Sequence, residues 1–240
     1  TLCVMDKKPG KLEHFQAEGL RLLADQVISF CEIDYQNSNE TNDENINTIE
    51  NSDVNLEANY FSSASILFTD FIGFTKITET IEPGELIATL DEFFIGFDKI
   101  CKKYKIKKVK TIGDSYMAVG GVPEGYPDHP KQTCLAALDI AEFVNGMNIQ
   151  RKVLGKEPWK IRIGIHTGPI IAANSGENFD IWGDSVNIAS RIESSGEEGK
   201  VHISNATFKF IEEICDSESR GDIELKNKGS MKTYFLNSLN

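Results

Sequence analysis

From Ser62 onward the apolar positions switch repeatedly between two spacings. Ala64–Thr69 is a short apolar run of strand length. Pro83 to Tyr104 then carries Leu86, Leu90, Phe93, Phe94, Phe97, Ile100 and Cys101 at helical spacing, with Pro83 in the first turn. Lys108–Ile112 and Tyr116–Gly120 read as two strands of a hairpin joined at Gly113-Asp114-Ser115. Alternation would place Lys108 and Lys110 on one face of the first of them. Pro130 to Val153 is a second long helix. Trp159–His166 alternates as a strand, with Ile161, Ile163 and Ile165 on one side, and Ile170–Ala173 reads as another. Asp184–Ile192 is a helix, and Val201–Ile203, Ser204–Ile214, Ile223–Leu225 and Thr233–Leu236 complete the pattern. The order strand, helix, strand, strand, helix, strand predicts an α+β fold. It is a ferredoxin-like split βαβ sheet (βαββαβ) with additional αβ elements at its C-terminal end. No GxGxxG follows the first strand, which argues against a dinucleotide fold.

The segment before this alternation is different. Residues 34–59 are Asn, Glu, Asp and Thr-rich and hold too little apolar surface to offset the entropy of ordering. Residues 34–61 are therefore expected to be a flexible linker between residues 1–33 and a domain at 62–240. The first block pairs a short apolar stretch, Leu2 to Met5, with a helical pattern through Phe15, Leu22, Leu23, Val27 and Phe30.

Charge sharpens the division. The chain of 240 residues has 25 basic and 37 acidic side chains, a net charge of -12. Residues 32–60 contain eight acidic and no basic side chains, so two thirds of the excess lies in one short stretch that is nearly all linker. The total disfavours a broad nucleic-acid surface without excluding a site for an anion. The five cysteines form no CxxC pair and suit buried thiols in a reducing compartment. No apolar run is long enough to span a membrane.

Three segments carry candidate chemistry. Asp70 follows the first strand and precedes Phe71-Ile72-Gly73-Phe74-Thr75. A carboxylate there is either a helix cap or a metal ligand beside backbone N–H groups that meet phosphate. Asp114 sits in the hairpin, for turn reasons or as a second carboxylate for a hard divalent ion. In Phe179–Arg191 (FDIWGDSVNIASR), Asn187 and Arg191 are four apart on one helix face, as polar surface or as a clamp for phosphate and sugar oxygens. His166 reads as a packed, hydrogen-bonded residue, and there is no zinc-like Cys/His cluster.

Four blocks in order, ILFTDFIGFT, KVKTIGDSYMAVGG, FDIWGDSVNIASR and ELKNKGSMKTYFL, resemble the catalytic domain of the class III nucleotidyl cyclases over roughly residues 62–238. The resemblance implies that Asp70 and Asp114 bind two divalent metal ions, Mg²⁺ or Mn²⁺. It implies that the Phe71–Thr75 backbone and Arg162 meet the phosphates, and that Lys226 binds the triphosphate tail. Asn187 would orient the ribose, and Arg191 would neutralise charge building on the α-phosphate. Lys110 and Asp180 match the purine-selecting pair. Lys donates to adenine N1 and Asp accepts from the N6 amino group, which points to ATP. The expected activity is adenylate cyclase, giving 3′,5′-cyclic AMP and pyrophosphate. The alternatives are a guanylate cyclase and a catalytically silent nucleotide-binding domain.

The resemblance further implies a head-to-tail homodimer with two shared sites. Residues 1–33 resemble the last strand and helix of a GAF sensor domain, or else form a signalling helix. An N-terminal sensor and a cytoplasmic location, by itself or tethered to a membrane, are the corresponding expectations. The segment Ala172–Phe179 is shorter than the family pattern. The difference has to be absorbed in the Asn174–Asn178 turn for Asp180 to keep its aim.

Overall fold

The computed structural model describes residues 58–123, 125–175, 178–225 and 229–240. The GAF-like block, nearly all of the acidic linker, and Lys226 lie outside the described residues. The strands are β1 (Asn59–Phe71), β2 (Lys107–Ile112), β3 (Ser115–Gly120), β4 (Ile161–Ser175), β5 (Asn178–Trp182), β6 (Val201–Ser204), β7 (Cys215–Leu225) and β8 (Gly229–Leu239). The helices are α1 (Phe74–Thr80), α2 (Pro83–Lys103), α3 (His129–Val153), α4 (Asp184–Ser194) and α5 (Asn205–Phe208).

One sheet runs β2-β3-β1-β4-β6-β8-β7, with β5 also paired to β4. The part β2-β3-β1-β4 is antiparallel throughout. Its order is that of the expected split βαβ unit, and the parallel β4–β6 pair adds the C-terminal elements to its edge. Strand alternation sends side chains to opposite faces. Leu67 and Phe71 of β1 and Ile161, Ile163 and Ile165 of β4 meet Phe93 and Phe97 of α2 and Ile140 and Val144 of α3 in the larger core. Ile66 and Phe68 of β1 face the other way, with Met117, Val119, Ile170, Ile181 and Ala189 of α4. Asp70 shares that second face.

The structure moves several boundaries. β1 starts at Asn59, so the last residues assigned to the linker are strand. Trp159–His166 and Ile170–Ala173 are not two strands. One strand, β4, continues through Gly168-Pro169, and the irregularity falls on β1 between Phe61 and Ala64. Ser204–Ile214 is helical only over Asn205–Phe208. The last two short runs are parts of a long hairpin, β7–β8, whose remaining positions are mostly polar and so escape an apolar pattern. β5 and α1 are not visible in the pattern, because β5 has five residues and α1 seven, most of those in α1 exposed.

Helix α4 sits directly on β4 at Gly164. A Cβ built there would lie 2.2 Å from the backbone nitrogen of Glu193 and 2.4 Å from its Cα. Backbone cannot turn aside as a side-chain tip can. Gly164→Ala is expected to lower unfolding stability by about 1–3 kcal/mol or more, measured as a shift of the urea midpoint. An unchanged midpoint would mean that α4 does not lie this close to β4.

Candidate active site

Asp70 stands one residue before the end of β1. Beside it, β2 and β3 close a tight hairpin in which Ile112 faces Ser115 around Gly113-Asp114. Gly113 has φ +62°, a left-handed conformation that suits glycine. Because β1 and β3 pair through Thr69 and Tyr116, the hairpin end meets the end of β1. The Ser115 hydroxyl donates to Asp70 Oδ1 at 2.7 Å, and the Phe71 N–H donates to Asp114 Oδ2 at 3.2 Å. Two carboxylates far apart in sequence are thereby brought to one rim. Partial burial and then the Asp70 charge push the Asp114 carboxyl above the usual carboxylate range. An all-oxygen carboxylate pair fits a hard divalent cation, for which one or two carboxylates beside substrate phosphates suffice. Among the described residues no cluster of three or more acidic, His or Cys ligands forms.

Arg162 of β4 lies opposite Asp70 in the strand register. Its Nη2 donates to Asp70 Oδ2 at 2.8 Å, and its Nε donates to Glu193 Oε1 at 2.9 Å. Glu193 comes from α4 and is buried. Burial pushes its carboxyl up to about 7, with the Arg162 charge pulling the other way. Neither Ser115 nor Glu193 was singled out from sequence. For Glu193 a signal existed. It falls on the inner side of α4 with Ser185, Ala189 and Ile192, and an acid on the buried side of a helix wants a partner.

The same helix presents other groups elsewhere. Asn187 is exposed and Arg191 half-buried. At about 100° per residue, four residues bring Asn187 and Arg191 nearly into line, while two residues turn Glu193 about 200° away from Arg191. The inner side of α4 therefore serves Arg162, and Asn187 and Arg191 project from a different side.

Lys110 of β2 and Asp180 of β5 meet in an ion pair. Lys110 Nζ is 2.5 Å from Asp180 Oδ2, and Asp180 Oδ1 accepts the Ile181 N–H at 2.8 Å. Lys108 and Lys110 do not share a face, contrary to the alternation argument. A register shift between them leaves Lys108 bonded to Asp98 of α2, and turns Lys110 to the opposite side, opposite Met117. The hairpin β4–β5 pairs Ser175 with Asn178 and sets Ala173 opposite Asp180. Lys107 Nζ sits 3.4 Å from the centre of the Phe179 ring and ties β5 to β2.

The Phe71–Thr75 segment divides. Phe71 is buried, with its ring 5.0 Å from Phe93, and Phe74 packs 5.8 Å from Trp159. The side chains of these two residues belong to the core. The Ile72 N–H donates to Lys160 O at 2.7 Å. Gly73 has φ +73° and starts α1. Over Gly73–Thr75 the first-turn backbone N–H groups have no partner within the helix.

The remaining candidates are structural. His166 is buried with Nδ1 2.8 Å from the Ser204 hydroxyl, and His202 Nδ1 lies 2.7 Å from Ile192 O. Burial lowers both imidazoles to about 4 from 6.5. A depressed histidine favours the fold while neutral, and that stability is lost as pH falls below 6.5 toward 4. Glu193, raised from 4.5 to about 7, works in the opposite sense across much of that window. His129 is lowered and Asp114 raised, and these two act in opposite senses. Two imidazoles against one carboxyl leave a net loss. The melting temperature is expected to fall between pH 6.5 and 4.5, and His202→Gln should flatten that slope. A melting temperature that rises over this interval would contradict it. No described helix is long and apolar enough to cross a membrane.

The Adenylate and Guanylate cyclase catalytic domain family matches residues 56–238, and the chain belongs to that family. Adenylate cyclase of Mycobacterium tuberculosis is 34% identical over 185 residues, covering 76% of this chain and 41% of the relative. Human guanylate cyclase soluble subunit beta-2 is 40% identical over 196 residues, covering 75% of this chain and 30% of the relative. The chain thus spans less than half the length of these curated relatives. Among solved structures, the guanylate cyclase domain of RhGC from Catenaria anguillulae in complex with GTP superposes with a TM-score of 0.71 at 34% identity, over 76% of this chain and all of that one. Relatives of both base types accompany this one catalytic fold.

Proposed function

We propose that this chain is an adenylate cyclase that converts ATP to 3′,5′-cyclic AMP and pyrophosphate. The observation that carries the base choice is the Lys110–Asp180 pair. It presents a cationic donor and a carboxylate acceptor side by side, with side-chain exposures of 43% and 24%. Adenine N1 accepts and N6 donates, so each meets its complement. Guanine O6 would face Asp180 acceptor to acceptor. An ion pair this exposed adds little to stability, which leaves recognition as the reason for its placement.

Asp70 and Asp114 would hold the divalent cations, which supply positive charge to the 3′-hydroxyl and to the phosphates. Arg162 binds phosphate oxygens, and the backbone of Gly73–Thr75 donates to them. Asn187 holds the ribose so that O3′ lies in line with the α-phosphorus. Arg191 stabilises the charge that accumulates there as the O3′–P bond forms and the bond to pyrophosphate breaks. Lys226 binds the departing phosphates.

Because Arg191 and Glu193 project from opposite sides of α4, Arg191 does not serve the site that its own Arg162 serves. Two copies arranged head to tail complete two sites, each with the aspartates of one protomer and the Arg191 of its partner. The test is product formation by purified chain, with ATP and GTP in separate reactions and Mg²⁺ and Mn²⁺ compared. Cyclic AMP as the main product is expected. Abundant cyclic GMP with little cyclic AMP would overturn the base assignment, and neither product from a verified dimer would favour a silent nucleotide-binding domain.

A further inference from the structure

Arg162 has two carboxylate partners, and they differ in kind. Asp70 is 22% exposed in its side chain and sits on the rim beside Asp114. Glu193 is 7% exposed in its side chain and lies beneath, on α4. Under the reading above, Asp70 is claimed by divalent cations whenever substrate is present. Its bond to Arg162 Nη2 is then contested, and the guanidinium needs another anchor to remain over the phosphates. The bond from Nε to Glu193 Oε1, at 2.9 Å, is the one the cations do not reach for. It leaves the Nη nitrogens facing the rim. Ser194 Oγ, 3.3 Å from Glu193 Oε2, occupies the far side of the same carboxylate. The close seat of α4 on Gly164 prevents Glu193 from drawing back.

We propose that Glu193 is the positioning residue for Arg162: its buried carboxylate holds the guanidinium ready for the substrate triphosphate while Asp70 is committed to the cations. It touches no substrate atom and acts only through Arg162. This rests on the cyclase reading for the identity of the triphosphate.

The test uses the dissociation constant of inorganic triphosphate in the presence of Mg²⁺, measured by calorimetry, alongside KM and kcat. Glu193→Leu removes the acceptor at similar volume, and Glu193→Gln keeps an acceptor oxygen in place. The leucine variant is expected to bind inorganic triphosphate about tenfold more weakly, the size of one hydrogen bond to a charged group, and to raise KM by the same factor with less effect on kcat. The glutamine variant should stay within about twofold of the parent. In an Arg162→Ala background, Glu193→Leu should add nothing further. An unchanged affinity in the leucine variant would overturn the inference, as would an effect that adds in full to that of Arg162→Ala. If the leucine variant does not fold, Glu193→Asp takes its place. Its carboxylate is withdrawn by one methylene, so weaker binding than in Glu193→Gln supports the inference and equal binding overturns it. A chain that shows this triphosphate pattern but makes no cyclic nucleotide would remove the cyclase reading and leave the role of Glu193 standing.

Discussion

Arg191→Ala is expected to lower kcat by about 10²- to 10³-fold, the usual cost of deleting one donor to a transition-state charge, with little change in KM. Its side chain is not among those buried on the packed side of α4. Ser185, Ala189 and Ile192 make that packing. Asp70→Asn should also be nearly inactive, for a different reason, since it removes half of the carboxylate pair. The informative experiment mixes the two. In a head-to-tail dimer, the heterodimer has one site with both defects and one with neither. Random pairing makes half of the dimers mixed, so activity should return to about a quarter of the parent level. Two inactive variants that stay inactive on mixing would show that each protomer carries a complete site. Activity per chain that is unchanged on dilution to verified monomer would show the same.

The second large effect concerns the base. Replacing Lys110 by Glu and Asp180 by Cys reverses both hydrogen-bonding senses. Glu accepts from guanine N1 and N2, and a thiol donates to O6. Each wrongly met polar pair costs about 1–3 kcal/mol, or roughly ten- to hundredfold in kcat/KM. The double variant is expected to lose ATP turnover by at least that factor and to gain GTP turnover. Melting temperature should move little, because the Lys110–Asp180 contact is partly exposed and contributes little to folding. The ratio of kcat/KM for the two nucleotides, measured before and after the exchange, decides the matter. A ratio that does not move would mean that the purine is selected elsewhere.

Much of the sheet was legible because its strands and long helices obey simple periods. Pro83–Lys103 and His129–Val153 fall within a residue or two of their expected ends, since a proline marks each start and the apolar spacing runs through to the last turn. The hairpin around Gly113-Asp114 followed from turn chemistry. What failed was local alternation where the backbone departs from regularity. The bulge between Lys108 and Lys110 adds half a period, and nothing in KKVKTI announces it. The two strands expected at Trp159–His166 and Ile170–Ala173 are one, because β4 passes through Pro169 and the partner strand carries the irregularity.

The amino-acid sequence by itself determined the inventory. It holds two carboxylates at strand ends, an Asn and an Arg four apart on a helix, a Lys before the hairpin and an Asp before the Trp-Gly turn, and an acidic excess set apart from the domain. Residue type and spacing along one element are local properties, and the chain carries them directly. Only the tertiary structure decided the pairings. Ser115 and Arg162 divide the oxygens of Asp70, and Glu193 fixes Arg162 from beneath. Lys110 turns away from Lys108 to reach Asp180. These contacts join residues up to 92 positions apart. They depend on register and on how closely α4 seats on β4, quantities set by the whole packed core and written in no single segment of the chain.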